Sequence, residues 1–279
     1  MHKTLRQVGI SLVTTLWLAT RLAHANDPLA EIQALLQNGQ LEEAFPKLKN
    51  LADAGHAGSQ YMMCSFYDQG LVVKLNHKIS HRYCEAAANQ GHPMAIGHLG
   101  SKYFTGSGVS QDKARAVELF TQAAELNDTG AMVSLSHLHL MGDGVERDTD
   151  KAYELAMRAA KLGSPSGAFA VGNLYLMGLE PNSNPDSPIN VGEAMRWLHS
   201  SADLGFIPAF TILGQAYTDP QLGFGDYEEA YFWLSLAHQY GVQEIKNLKY
   251  EAELKLNKAR RNHVTSRLQE WQPKTLTVN

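Results

Sequence analysis

Little in this chain points to catalysis. It has no G-x-S-x-G elbow, no H-E-x-x-H helix and no phosphate-binding loop, so serine hydrolase, zinc peptidase and P-loop chemistry have no motif to rest on. Basic residues are scarce: 24 Lys and Arg stand against 28 Asp and Glu, a formal charge of −4. That balance argues against nucleic acid, which needs a basic face. Cysteine is nearly absent, with only Cys64 and Cys84. Neither lies near the N-terminal segment, so no lipoprotein anchor is expected there. No stretch after the first 25 residues is apolar for long enough to span a bilayer.

What is present is a period. Segments end at Gly55, Gly91, Asn127, Gly163, Gly205 and Gly241, in steps of 36, 36, 36, 42 and 36 residues. Three positions before each end stand Ala52, Ala88, Ala124, Ala160, Ala202 and, as the exception, His238. Eleven before stand Ala44, Ser80, Ala116, Ala152, Ala194 and Ala230, and fifteen before stand Asn76, Asp112, Asp148, Asn190 and Asp226. Self-similarity at this period means stacked supersecondary units. Each unit reads as two helices. In the third, Asp128 caps a helix with Ala131, Leu135, Ser136 and His139 on one face; Gly142 and Gly144 break it; Asp148 caps a second helix that Gly163 ends. Gly100, Ser136, Gly172 and Gly214 share one position of the first helix, opposite Phe120, Ala156, Leu198 and Leu234. Small residues there let the paired backbones approach, and each unit keeps an apolar surface that only a stacked neighbour can cover.

The second unit carries Ala95, Leu99, Gly100, Tyr103, Gly106, Gly108, Val109, Asp112 and Ala116 in the pattern A-x3-L-G-x2-Y-x2-G-x-G-V-x3-D-x3-A. This resembles the Sel1-like repeat family, a branch of the tetratricopeptide superfamily. The third unit departs with Ser136 and His139; the fourth keeps Ala168, Gly172, Tyr175 and Gly178 and diverges afterwards. The resemblance implies an all-α, right-handed α/α superhelical solenoid. It implies no single function, because such repeats mark architecture.

The expected organisation is a signal peptide over 1–25, a divergent capping hairpin over 26–55, and five repeats over 56–91, 92–127, 128–163, 164–205 and 206–241. A C-terminal helical cap over 242–272 and a disordered tail over 273–279 follow. Lys3 and Arg6 precede an apolar stretch, and Ala23-His24-Ala25 is an A-x-A cleavage site. Export to the periplasm or beyond is the reading, with a mature chain starting at Asn26. Loss of Lys3, Arg6 and Arg21 leaves 21 basic against 28 acidic residues, a formal charge of −7. The basic C-terminal region reads as a wettable end cap, since arrays need a polar terminal face. The six extra residues of the fourth unit fall in a proline-containing loop, 180–188.

Cys64 falls in the small column of the first helix and Cys84 aligns with Phe120, so they are equidistant from the hairpin turn. In an oxidising compartment this favours a disulfide, which would stabilise by ~3 kcal/mol; two buried thiols are the alternative. His77 and His81 stand i, i+4 without a third ligand in view, and His137 and His139 point to different faces. No metal and no cofactor is expected. Ser110-Gln111-Asp112-Lys113 matches the S-x-x-K pattern of penicillin-recognising enzymes, but its companion motifs are missing. A β-lactam-binding or hydrolysing enzyme, as described for cysteine-rich Helicobacter members of the family, is therefore the second reading, and a purely structural envelope role the third.

The first reading is a monomeric scaffold for a protein or extended peptide, with no nucleic acid and with membranes reached only through partners. By resemblance to the tetratricopeptide superfamily, first-helix residues line the binding face. These are Tyr61, Met94, Ser101, Phe104, Val133, His137, Leu140, Met141, Phe169, Asn173, Leu176, Met177, Thr211 and Gln215, with Asp68 at the polar N-terminal end. Packing between neighbouring repeats is the competing role for Leu140, Met141, Leu176 and Met177.

Overall fold

The structure, a computed structural model, describes residues 28–181, 189–222 and 225–274. The proposed signal segment, most of the 180–188 loop and residues 275–279 lie outside them. Fourteen α-helices and one short 3₁₀ turn make up the described residues, with no strand among them. In chain order they are α1 (Pro28–Gln37), α2 (Leu41–Asp53), α3 (Ala57–Gln69), α4 (His77–Ala88), α5 (Pro93–Thr105), α6 (Lys113–Glu125) and α7 (Thr129–Met141). Then come α8 (Thr149–Lys161), α9 (Pro165–Leu176), α10 (Val191–Asp203), α11 (Ile207–Thr218), α12 (Tyr227–Gln239), α13 (Lys246–Leu254) and α14 (Lys258–Glu270). Packing runs mainly between neighbours in chain order. The described residues divide into two compact units, meeting in sequence between Ala131 and Met132.

Local chemistry sets the helix limits. Every second helix of the five repeats starts on the expected Asn or Asp, whose side chain accepts a first-turn N–H: Asn76 from Ile79, Asp112 from Arg115, Asp148 from Lys151, Asn190 from Glu193 and Asp226 from Glu228 and Glu229. Each bond satisfies an orphan donor, a feature typically worth about 1 kcal/mol. The repeat ends turn through the left-handed region. Asn127 does so at φ 64° where the other repeats use glycine, and Asn is the non-glycine residue that tolerates it best.

The small column packs as its chemistry requires. A Cβ added at Gly214 would lie 2.5 Å from Leu234 Cγ, one at Gly172 2.8 Å from Leu198 Cγ, and one at Gly100 3.0 Å from the Phe120 ring. Where the first helix carries the larger Ser136, the partner is Ala156, and the Ser136 hydroxyl donates to Ala152 O at 2.7 Å. Below this contact lie the cores. In the first unit Ile32, Leu36, Leu48, Met63 and Phe66 join α1, α2 and α3. In the second, Leu198, Phe210, Leu213, Leu234 and Val264 join α10, α11, α12 and α14. Each such side chain, fully buried, stabilises by about 1.5–3 kcal/mol.

The C-terminal cap closes the second unit. Asn257 caps α14 through Arg260 N. Part of the basic side of α14 pairs with α12: Arg267 bonds Glu229 at 2.6 Å and lies 4.2 Å over the Phe232 ring, and His263 meets Glu228, while Lys258, Arg260 and His263 stay exposed. Pro273 and Lys274, assigned to the tail by composition, lie against α10, with Lys274 N donating to Asp203 O at 2.6 Å. No helix among the described residues is long and apolar enough to cross a membrane.

Candidate functional site

Cys64 on α3 and Cys84 on α4 form a disulfide with their Cα atoms 5.2 Å apart. Cys64 holds the register that Gly100, Ser136, Gly172 and Gly214 hold elsewhere, and Cys84 that of Phe120. The first repeat thus replaces a small-against-large contact by a covalent one.

Beside it, α3 and α5 bring together charges that the sequence reading did not connect. Lys102 is a lysine with 2 % of its side chain exposed, and its Nζ bonds both oxygens of Asp68, at 2.7 and 2.6 Å. His98 Nε2 lies 3.0 Å from Asp68 Oδ2, and His77 Nδ1 3.0 Å from Asp68 Oδ1. Burial alone would raise the Asp68 carboxyl, but bonds from His98, His77, Lys102 and Ser80 outweigh it and hold it well below the ordinary carboxylate range. A desolvated ammonium needs such a partner, and stripping one member from a buried pair typically costs about 3–5 kcal/mol. His77 and His81 do not meet as a chelating pair: His77 serves Asp68, and His81 packs edge-on against Tyr103.

Two more histidines do structural work at helix starts. His56 Nδ1 accepts Ser59 N at 3.1 Å and His92 Nδ1 accepts Ala95 N at 3.4 Å, capping α3 and α5. Tyr61 stacks on the His92 ring, and burial, followed by the Asp128 charge, pushes its phenol up to about 12. Asp128 caps the next helix as expected, through Ala131 N at 2.7 Å.

None of the first-helix residues assigned to the binding face is fully buried. In the first unit Tyr61, Met94, Ser101 and Phe104 are half-buried. In the second, Val133, Leu140, Phe169, Asn173, Leu176 and Thr211 are half-buried, while His137, Met141, Met177 and Gln215 are exposed. Leu140 packs on the α8–α9 core, and Phe169 and Leu176 on the core around Leu213, so these three carry a packing role. Met141 and Met177, at the same register of successive repeats, stand 62 % and 56 % exposed. Ser110 is exposed in the α5–α6 loop; Asp112 caps α6, and the Lys113 ammonium sits 5.4 Å from the Phe104 ring centre. The S-x-x-K match therefore coincides with the repeat's own loop and cap.

His98 and Lys102 are the site residues that sequence reasoning missed. The signal was available: the register of Lys102 holds Phe66, Leu138, Leu174 and Ala216 in the other repeats, and that of His98 holds Met62, Ser134, Ala170 and Ile212.

Paired antiparallel helices repeating along the chain define an α-helical repeat protein. The family model for the Sel1 repeat matches residues 57–92, 93–128, 129–164, 165–206 and 212–245, and the chain belongs to this family. A Sel1 repeat protein from Oxalobacter formigenes has a similar structure, with a TM-score of 0.66 at 25 % identity over 87 % of this chain and 99 % of that one. An immunity protein from Pseudomonas aeruginosa shares the fold at TM-score 0.53 and 15 % identity, over 78 % of this chain and 88 % of that one. A chitin synthase regulator of Saccharomyces cerevisiae is 33 % identical over 95 residues, which are 34 % of this chain and 14 % of the yeast protein. The chain is thus an all-α repeat protein of the solenoid class.

Proposed function

We propose that this protein is an exported scaffold that binds a protein or extended peptide through the first helices of its repeats. The observation that carries the reading is the pair Met141 and Met177, large apolar side chains left open at equivalent positions of the second unit. Methionine suits an adaptable contact surface because it is flexible and polarizable. His137 on α7 and Asn173 on α9 add polar groups beside the two methionines, and Gln215 adds one on α11, the first helix of the next repeat; an apolar centre with a polar rim is how interfaces are built. Export is supported by the A-x-A segment ahead of Asn26 and by the disulfide, which persists in oxidising compartments.

Photo-crosslinking tests the surface. A photoreactive residue at position 141 or 177 should give adducts with one partner protein in cells, and one at Glu154 on a second helix should not. Equal labelling from all three positions would sink the assignment. Met141→Asp and Met177→Asp should abolish the adducts with little change in Tm, since exposed side chains contribute little to stability. N-terminal sequencing of the native protein should begin at Asn26; an intact Met1 in cytosolic material would refute export and leave the binding surface standing.

A further inference from the structure

The imidazole of His98 lies between two things a metal site is made of. On one side Nε2 meets the Asp68 carboxylate at 3.0 Å; on the other Nδ1 faces Cys64 Sγ at 3.9 Å. An ionised carboxylate only accepts, so the shared proton sits on Nε2 and the Nδ1 lone pair is turned toward the sulfurs. Nδ1 and the two Sγ atoms all lie within 4.8 Å of one another. We propose that, when the Cys64–Cys84 bond is reduced, this corner of the first unit binds a zinc-class d10 cation through the Cys64 and Cys84 thiolates and His98 Nδ1, with Asp68 as the positioning residue behind the imidazole.

The geometry needs little change. Zinc holds thiolate sulfur at about 2.3 Å and imidazole nitrogen at about 2.0–2.1 Å in a tetrahedron, so its ligand atoms stand about 3.4–3.8 Å apart. The separation of Nδ1 from Cys64 Sγ, 3.9 Å, is already close to that. The two sulfurs must part and Cys84 Sγ must settle at a like distance from Nδ1, from which it starts within 4.8 Å; side-chain rotation supplies this with the Cα atoms 5.2 Å apart. Thiolate and imidazole ligands select zinc over calcium or magnesium. Carboxylate bonded to the remote nitrogen is the usual support for a metal-bound histidine, since it fixes the tautomer and the ring orientation. Lys102 and His77 in turn fix the carboxylate. Charge closes as well: two thiolates and Asp68 carry −3, and Lys102 with a dication carries +3.

The chemistry balances in two steps. A dithiol reductant gives two electrons and two protons to the disulfide, yielding two protein thiols and the reductant's own disulfide. The cation then displaces one proton from each thiol. Exchange with an external disulfide, which accepts the two electrons and takes up two protons to leave as its dithiol, would rejoin the sulfurs and expel the cation, so metal and disulfide are alternative occupants of one place. The fourth coordination position is left to water.

The test uses the full chain, reduced with a phosphine and titrated anaerobically with Co2+ as the spectroscopic substitute for Zn2+. Reduced protein should take up one equivalent, with thiolate-to-cobalt charge-transfer bands and tetrahedral visible bands that Zn2+ abolishes. Oxidised protein should show neither. His98→Gln should weaken binding by about 10–100-fold or more, and Asp68→Asn by about 10–100-fold, with helix content followed by circular dichroism. If Asp68→Asn does not fold, His98→Gln alone decides. Absence of the bands in reduced wild type overturns the proposal, whether or not the helices survive reduction. So does equal affinity in His98→Gln, in oxidised protein, or in reduced protein unfolded in urea.

Discussion

His92 caps α5 through Nδ1, which an imidazole can do only while that nitrogen is unprotonated. Burial lowers its pKa from 6.5; Asp128 pulls it partly back up, and His56 adds to the lowering. The folded state thus binds the proton less well than the unfolded chain. The resulting stability is fully present above pH 6.5 and is lost as the pH falls through the lower folded value. In wild type the urea midpoint should therefore decline on acidification below neutrality. His92→Asn, which keeps a cap without a titrating ring, should remove this part of the decline while His56 and Asp128 stay in place. An unchanged pH profile in the variant would show that the cap does not carry it. The Asp68–Lys102 pair shows why part of the site was hard to read from the chain. Its partners are 34 residues apart, so neither neighbours the other in sequence. The clue was a lysine in a column of Phe66, Leu138, Leu174 and Ala216, and it emerges only when columns are read for their exceptions.

At the scale of the helix pair, the sequence was legible because the repeat shows the same physical constraint several times over. The Asn and Asp caps of α4, α6, α8, α10 and α12 and the glycine-or-asparagine ends were readable as chemistry. The histidine caps were not, because histidine is an uncommon cap and its role depends on which nitrogen carries the proton. The small-against-large column was readable too, and it makes a quantitative prediction. Gly214→Ala places a methyl 2.5 Å from Leu234 Cγ, and such overpacking typically costs about 1–3 kcal/mol. Leu234→Ala alone leaves a cavity at a cost of about 2–5 kcal/mol. In the double variant the methyl occupies part of that cavity, reproducing the Ser136–Ala156 solution of the third repeat. Chemical denaturation should find the double variant more stable than the sum of the single losses allows, by at least 0.5 kcal/mol, the lower range for residues in contact. Simple additivity would mean that α11 and α12 do not meet as described.

Across the whole molecule, helices pack chiefly on their neighbours in the chain, and a repeat array owes its stability to each unit and its adjoining interfaces. A lesion should therefore weaken its own surroundings first. The Cys64–Cys84 bond closes a loop with a sequence separation of 20 residues, and a crosslink of that span stabilises by about 3 kcal/mol through the unfolded state. Replacing both cysteines by alanine removes the bond without leaving a thiol. In native-state hydrogen exchange the variant should lose protection in α3, α4 and α5, by about two orders of magnitude if the full 3 kcal/mol is felt there. Amides of α11 and α12, whose core around Phe210, Leu213 and Leu234 shares no residue with the crosslinked hairpin, should exchange as in wild type. A uniform fall in protection from α1 to α14 would mean that the chain unfolds in one cooperative step, and the neighbour-by-neighbour account of its stability would have to be given up.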